Sequence, residues 1–326
     1  METNYEKLKS APRILMEANL KPLQGDRFQP TGFSDLGPAK YTRPDGTEML
    51  LVESAQSVAN RMELACWDSV RNEYIDALKG LPYIRVKHSG KELTNSVLEA
   101  HRINSEYIMS STFKDDFSKE IDLAKDRPVD WAKLRKALLK YDPGSLVHGA
   151  FMEEIDGRIR VTRAISGFIE ATDVKVAESG GVKNNYVQPT LKEGEGNVPY
   201  SRTEFTAKNI VAYFNLDIAL LRGYGLPDEA EMLLIALSLL KIRRFLSTGL
   251  RLRTACDLEV VSDLHVTKPA GFVLPSEGEL LDECKALITK CKPLFAEPSV
   301  KEVEWVPSKK SKGDATDEKS DEGSDK

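Results

Sequence analysis

The longest apolar run in this chain, Met232 to Leu240, is broken only by Ser238 and sits inside its clearest helix, Pro227 to about Leu246. The run is too short to span a bilayer. Gly249 is a good helix stop, and Leu250-Arg251-Leu252-Arg253 then alternates as a strand. A chain that passes from helical to two-residue periodicity within a few positions builds layers of helix on sheet.

The rest of the sequence repeats this mixture without a regular βαβα rhythm. Arg13 to Leu20 reads as a first strand, Arg43-Pro44-Asp45-Gly46 as a turn and Met49-Leu50-Leu51-Val52 as the lead into a helix from Ser54 to about Trp67. On that helix Ala55, Val58, Ala59, Met62, Ala65 and Cys66 form an apolar stripe, and Ser54 is placed as its N-cap. Tyr83 to Lys87 alternates, whereas Asn95 to about Ser110 and Val129 to Lys140 read as helical. Arg158 to Arg163 and Ala164 to Thr172 read as a long strand, and 178–204 as a soft insertion. Phe205 to Ile218 fits strand or helix, Glu277 to Lys290 is helical, and Val300 to Val306 is a last short strand. The pattern predicts an α+β fold, with a small ferredoxin-like sheet carrying large insertions. We expect one core domain over 1–308 and a disordered charged tail over 309–326.

The net charge is −5, and the tail, with five lysines against six acidic residues, accounts for only −1 of it. Phosphate binding therefore needs local basic patches rather than bulk charge. Cys66, Cys256, Cys284 and Cys291 form no C-x-x-C pair and read as reduced core thiols. His88, His101, His148 and His265 show no metal-ligand spacing, so neither a metal nor a cofactor is expected. The N-terminus is polar with no apolar signal core, which points to a cytoplasmic protein with no membrane partner.

The residue types best suited to a ligand lie between Leu23 and Gly37. This loop holds Phe28 and Phe33 beside Arg27, Gln24, Gln29 and Thr31, a mixture fit for stacking on something flat and bonding something polar. On the following helix Gln56, Ser57, Asn60 and Arg61 lie opposite the apolar stripe, where a solvated face more often carries Lys and Glu. The helix start at Ser54 also offers N–H groups to a phosphate.

Two further groups of cations stand out. Arg158 and Arg160 share one face of a strand, as do Arg251 and Arg253, with Lys241, Arg243 and Arg244 adding to the second cluster. The alternative is ordinary solvent-facing strand arginines. The insertion carries Lys183, Tyr186, Tyr200 and Arg202 as reaching groups, in a segment that is either a functional finger or disorder.

Catalytic motifs are missing: there is no G-x-S-x-G, H-E-x-x-H or Walker A sequence, and no catalytic residue is assigned. The alternative is a metal-independent ribonuclease using His101, beside Glu99 and Arg102, or His148.

The block Leu23-Gln24-Gly25-Asp26-Arg27-Phe28-Gln29-Pro30-Thr31-Gly32-Phe33, followed by Val52 to Glu63, resembles the backbone subunit of type I-U (I-G) CRISPR interference complexes, the Csb branch of the RAMP superfamily. Glu99-Ala100-His101-Arg102, Arg163 to Ala171 and Gly249 to Asp257 are similar to it too. The resemblance implies a modified RNA-recognition-motif palm with finger and thumb insertions. Copies of the chain would stack along a guide RNA (crRNA), which pairs with target DNA. The partners it implies are the large subunit, a crRNA-processing or capping subunit and a recruited nuclease-helicase. In that picture the loop and the face Gln56–Arg61 meet the guide backbone without cutting it, and 178–204 is the candidate thumb. Asp26 and Asp35 are read as structural, and Phe28 and Phe33 as packing the loop or stacking without base preference.

Overall fold

The computed structural model describes residues 5–33, 36–184 and 197–307. Its centre is an eight-stranded sheet in the order Leu250–Arg253, Cys256–Val260, Arg13–Pro22, Asn209–Asp217, Ile165–Thr172, Glu48–Glu53, Lys40–Thr42, with His265–Lys268 pairing off this path onto Arg13–Pro22. Every pairing within it is antiparallel.

The register follows from burial of one face. Ile14, Met16 and Ala18 sit opposite Leu216, Phe214 and Ala212, which in turn face Ile165, Gly167 and Ile169. All but Gly167 are buried apolar residues. Gly167 has a steric reason: a Cβ there would lie 2.6 Å from Cδ1 of Phe214 and 3.1 Å from Cγ1 of Val58. It lets helix Ala55–Leu64 lie close on the sheet. The long helix Asp228–Ser247 packs on the same sheet, with Phe245 edge-on to Phe214 at 6.2 Å. It is buried on nearly all sides because helix Glu277–Cys291, opened by a Ser276/Glu279 capping box, covers it from outside. A second, three-stranded sheet pairs Val300–Glu304 parallel to Tyr83–His88, and Tyr83–His88 antiparallel to Lys91–Asn95. The four cysteines are buried thiols, and burial raises all four.

Ser54 caps its helix as expected, accepting from the Ser57 amide at 3.3 Å. Three readings change. The long strand over 158–172 is broken: Arg160–Val161 pairs with Ala150–Phe151, and the main sheet resumes only at Ile165. The segment 95–110 is a turn and two short helical pieces, because the Asn95 side chain accepts from the amides of Val97 and Leu98 and holds the chain out of a helix. The insertion is a hairpin, Lys175–Asn184 against Asn197–Thr206. Its connection at 185–196, with Tyr186, and the tail 309–326 lie outside the described residues.

Candidate nucleic-acid interface

The loop that begins at Leu23 is anchored rather than free. Phe28 and Phe205 exchange both backbone hydrogen bonds at 2.9 Å, and both rings are buried. Phe28 therefore offers no ring face to a base. It packs beneath the loop and ties it to the hairpin's return strand. The Gln29 amide donates to Ala255 O at 2.8 Å and the Thr31 amide to Val52 O at 2.9 Å. The Phe33 backbone pairs with Gly37, and that of Lys183 with Val198.

Several expected cationic holders are internal. Glu53 is only 1% exposed, and a buried carboxylate needs counter-charge. Arg253 donates to it and also to Gln29 O at 3.1 Å and Val52 O at 3.0 Å. Arg61 brings Nε within 3.7 Å of Glu53 and spends its terminal nitrogens on the carbonyls of Arg251 and Leu252. Arg61 and Arg253 are thus structural clamps. The presumed cluster around the second strand dissolves likewise. Lys241 is fully buried, Arg243 pairs with Asp263 at 2.7 Å, and Arg244 with Glu277 at 2.8 Å. Arg251 remains exposed, 3.8 Å from Asp257. Arg158 lies outside the strand and grips Asp156 at 2.6 Å, so it forms no ridge with Arg160.

At the hairpin base, Glu204 is buried and receives Arg27 at 3.4 Å and Arg202 at 3.6 Å, while Arg202 also stacks 5.6 Å from the Tyr200 ring centre. Gln24 and Arg27 line a cavity of about 300 Å³ there, with Asp257 on its wall. Loop and hairpin, read separately from sequence, form one ion-paired unit.

A larger cleft, of about 690 Å³, opens beside the polar face of helix Ala55–Leu64. It brings together Asn60, His101 and Arg160, which sequence reading had left apart, and adds Arg163, which it had missed as a site residue. Gln56 and Asn60 are exposed on the helix, whereas Ser54 and Ser57 are engaged in the cap. Arg160 lies 4.7 Å over the Phe151 ring. Arg163 donates to His148 O at 3.2 Å and to Ala55 O at 3.3 Å. Neither arginine has an acidic partner among the described residues. Burial and the nearby Arg102 charge lower the affinity of Arg163 for its proton, as expected of a cation short of counter-charge.

Behind the cleft lies a buried ionic cluster that sequence reading did not assemble. Arg102, held at φ 52°, donates to Glu63 at 2.8 Å and to Asp142 at 3.3 Å. Its guanidinium rests on Gly144, where a Cβ would come within 1.7 Å of Nη2. Asp142 also accepts from Ser145 Oγ at 2.7 Å. Lys241 contacts Glu63 Oε1, and His148 Nε2 lies 2.7 Å from the same oxygen and 3.0 Å from Lys241 Nζ. Burial lowers Lys241 to about 7. His148 is pushed well below its ordinary 6.5, first by burial and then by the charges of Arg102 and Arg163. A neutral His148 donates Nε2–H to Glu63 and leaves a buried Nδ1 with no partner among the described residues. The one visible signal was Lys241, a cation at the end of the apolar run: in a buried helix it requires a carboxylate, but spacing does not say which.

As an acid or base, His148 is badly placed, its side chain being 4% exposed and held in the cluster. His101 is exposed on the cleft wall, while its neighbour Glu99 accepts from Thr94 at 2.6 Å and Ser105 at 2.9 Å. Among the described residues no group of three or more His, Cys, Asp or Glu is placed to hold a metal.

Residues 14–176, half of the chain, match the profile of a family described as CRISPR-associated protein GSU0053. The chain belongs to this family. The matched span contains every residue of the cleft wall from Ala59 to Arg163, but not Lys241, Arg251, Arg253 or the hairpin's return strand. No curated protein matches the chain. Among solved structures it is similar to a subunit of a "CRISPR RNA-guided surveillance complex, pre-nicking", at 15% identity and TM-score 0.44, covering 86% of this chain and 87% of that one. A second surveillance-complex subunit has 15% identity and TM-score 0.36, with 86% and 83% covered. Csc2 of Thermofilum pendens has 10% identity and TM-score 0.31, with 89% and 80% covered. Among the described residues no helix is long and apolar enough to cross a membrane.

Proposed function

We propose that this CRISPR-associated protein is a non-catalytic backbone subunit that holds guide RNA in a type I surveillance complex, with copies arrayed along the crRNA and target DNA reached through the guide. One observation carries the reading: Arg160 and Arg163, lacking acidic partners, share one cleft with Asn60 and His101, while most other candidate arginines face carboxylates. Unpaired guanidinium groups with an amide and an imidazole make a phosphate-backbone grip that reads no bases. The sheet with both helices on one face serves as the palm of an RNA-recognition-type fold, and the hairpin Lys175–Thr206 as the thumb. Exposed Arg251 near its base is an outer contact, while Arg27 and Arg202 hold Glu204. Large, capping and nuclease-helicase subunits are the remaining partners, in the cytoplasm.

Co-expression with guide RNA tests this. Chain carrying Asn60→Ala and Arg160→Glu folds normally but purifies with little RNA, read from its absorbance ratio. Undiminished RNA on the folded variant overturns the reading. His101 sits in the same cleft, so precursor RNA is also incubated with the wild-type chain. Cleavage that disappears in His101→Ala would replace the non-catalytic assignment with a ribonuclease.

A further inference from the structure

The chain's own C-terminal segment matches the cleft in charge and in reach. It leaves the described fold at Trp305, whose amide donates to Lys87 O at 2.8 Å and whose carbonyl meets His88 Nδ1 at 3.0 Å. The Trp305 ring packs edge-on against Tyr107 at 5.1 Å. Tyr107 belongs to the short helix Glu106–Met109, which directly follows the turn Arg102–Asn104 at the cleft wall. The chain thus departs from the same structural neighbourhood as His101 and Arg102.

Beyond Pro307 the sequence is polarised. Lys309, Lys310 and Lys312 come first; Asp314 to Asp325 then carries six carboxylates against the single Lys319, a local net of −5. From Pro307 an extended chain reaches Asp321 across roughly 45 Å, enough to return to the cleft. Outside this stretch the chain is neutral, with 45 basic against 45 acidic residues, so only a local positive potential draws the stretch in. Several surface arginines elsewhere are already paired: Arg71 with Asp68 at 2.7 Å, Arg127 with Asp122 at 2.6 Å, Arg158 with Asp156 at 2.6 Å. Arg160 and Arg163 are not.

We propose that the acidic stretch Asp314–Asp325 docks intramolecularly in the Arg160/Arg163 cleft and competes there with the phosphate backbone of RNA. This deepens the RNA-binding reading and rests on it for the competition, but not for the docking itself. A tethered competitor acts at an effective concentration near millimolar, so weak carboxylate–guanidinium contacts suffice to screen out non-specific RNA. A guide held by many adjacent copies displaces it. A stray single strand held by one copy does not.

Two measurements on the full-length chain test the proposal. In the first, Arg160→Lys chain without RNA is treated with a zero-length carbodiimide and digested for mass spectrometry. An amide between position 160 and a carboxylate of 314–325, in protein that runs as a monomer, supports docking; its absence, or its presence only in dimers, overturns it. In the second, the six carboxylates are changed to Asn and Gln and binding of a labelled uridine oligomer is measured. Binding tightens by about tenfold, and the gain vanishes when Arg160→Glu is added. Unchanged affinity overturns the competition. A cross-link whose yield does not fall when the oligomer is present during the carbodiimide reaction leaves the docking intact and defeats the cleft as an RNA site, so the two failures read differently.

Discussion

At the base of the hairpin, arginines face carboxylates; in the cleft beside helix Ala55–Leu64, two of them do not. Arg27 and Arg202 converge on Glu204, and Arg61 and Arg253 on Glu53. Those carboxylates are buried, so their counter-ions are obligatory parts of the fold. Arg160 rests on an aromatic ring and Arg163 on two carbonyl oxygens, which orient each guanidinium without neutralising it. A sequence rich in arginine thus separates into clamps and free cations, and only the second class has charge to offer a polyanion.

The sharpest way to break this comparison is to attack a clamp. Lys241→Met leaves Glu63 buried beside His148 with one counter-ion fewer, and should cost about 3–5 kcal/mol in urea unfolding. A loss below about 1 kcal/mol would show that the cluster does not need its lysine. Arg253→Ala removes donors to Glu53, Gln29 O and Val52 O, and should cost about 2–3 kcal/mol while exposing the Gln24–Gln29 loop to protease. If it instead abolished RNA binding at unchanged stability, the division between clamps and free cations would fall.

The buried cluster also sets a pH dependence. His148 has its folded pKa pushed below the ordinary 6.5, so the unfolded chain binds a proton that the folded chain refuses. That contribution is fully present above 6.5 and is lost as pH falls below it, with a limiting slope of about 1.4 kcal/mol per pH unit. His148→Gln should flatten the slope of unfolding free energy between neutral and mildly acid pH; an unaltered slope places the titration elsewhere. The smallest effect on stability belongs to the cleft. Arg160→Ala should change it by no more than about 0.5 kcal/mol, while RNA binding weakens roughly fivefold and its logarithmic salt slope becomes shallower by about one.

Much of the framework was legible from periodicity, because burial of one face leaves its mark at fixed spacing. Ile14, Met16 and Ala18 announced a strand, Ser54 announced its helix, and the run Met232–Leu240 announced a helix that had to be covered. The break at Thr162 left only a faint mark, the polar pair Thr162-Arg163 before the apolar pair Ala164-Ile165, and the pairing of Arg160–Val161 with Ala150–Phe151 is what separates the two strands. Asn95 hid a turn inside a helical pattern because its side chain competes for the backbone amides.

By itself the sequence determined the classes of element, the absence of nucleophile and metal motifs, and, through long unusual blocks, the family. It supplied a set of arginines and amides without saying which were free. That was decided only by tertiary structure, because pairing depends on which carboxylates fold in beside each cation. Glu53 meets Arg253, Glu63 meets Lys241 and Glu204 meets Arg27 across long separations in sequence, and no spacing rule links the members of these pairs. Asn60, His101, Arg160 and Arg163 were likewise scattered along the chain until the fold set them around one cleft.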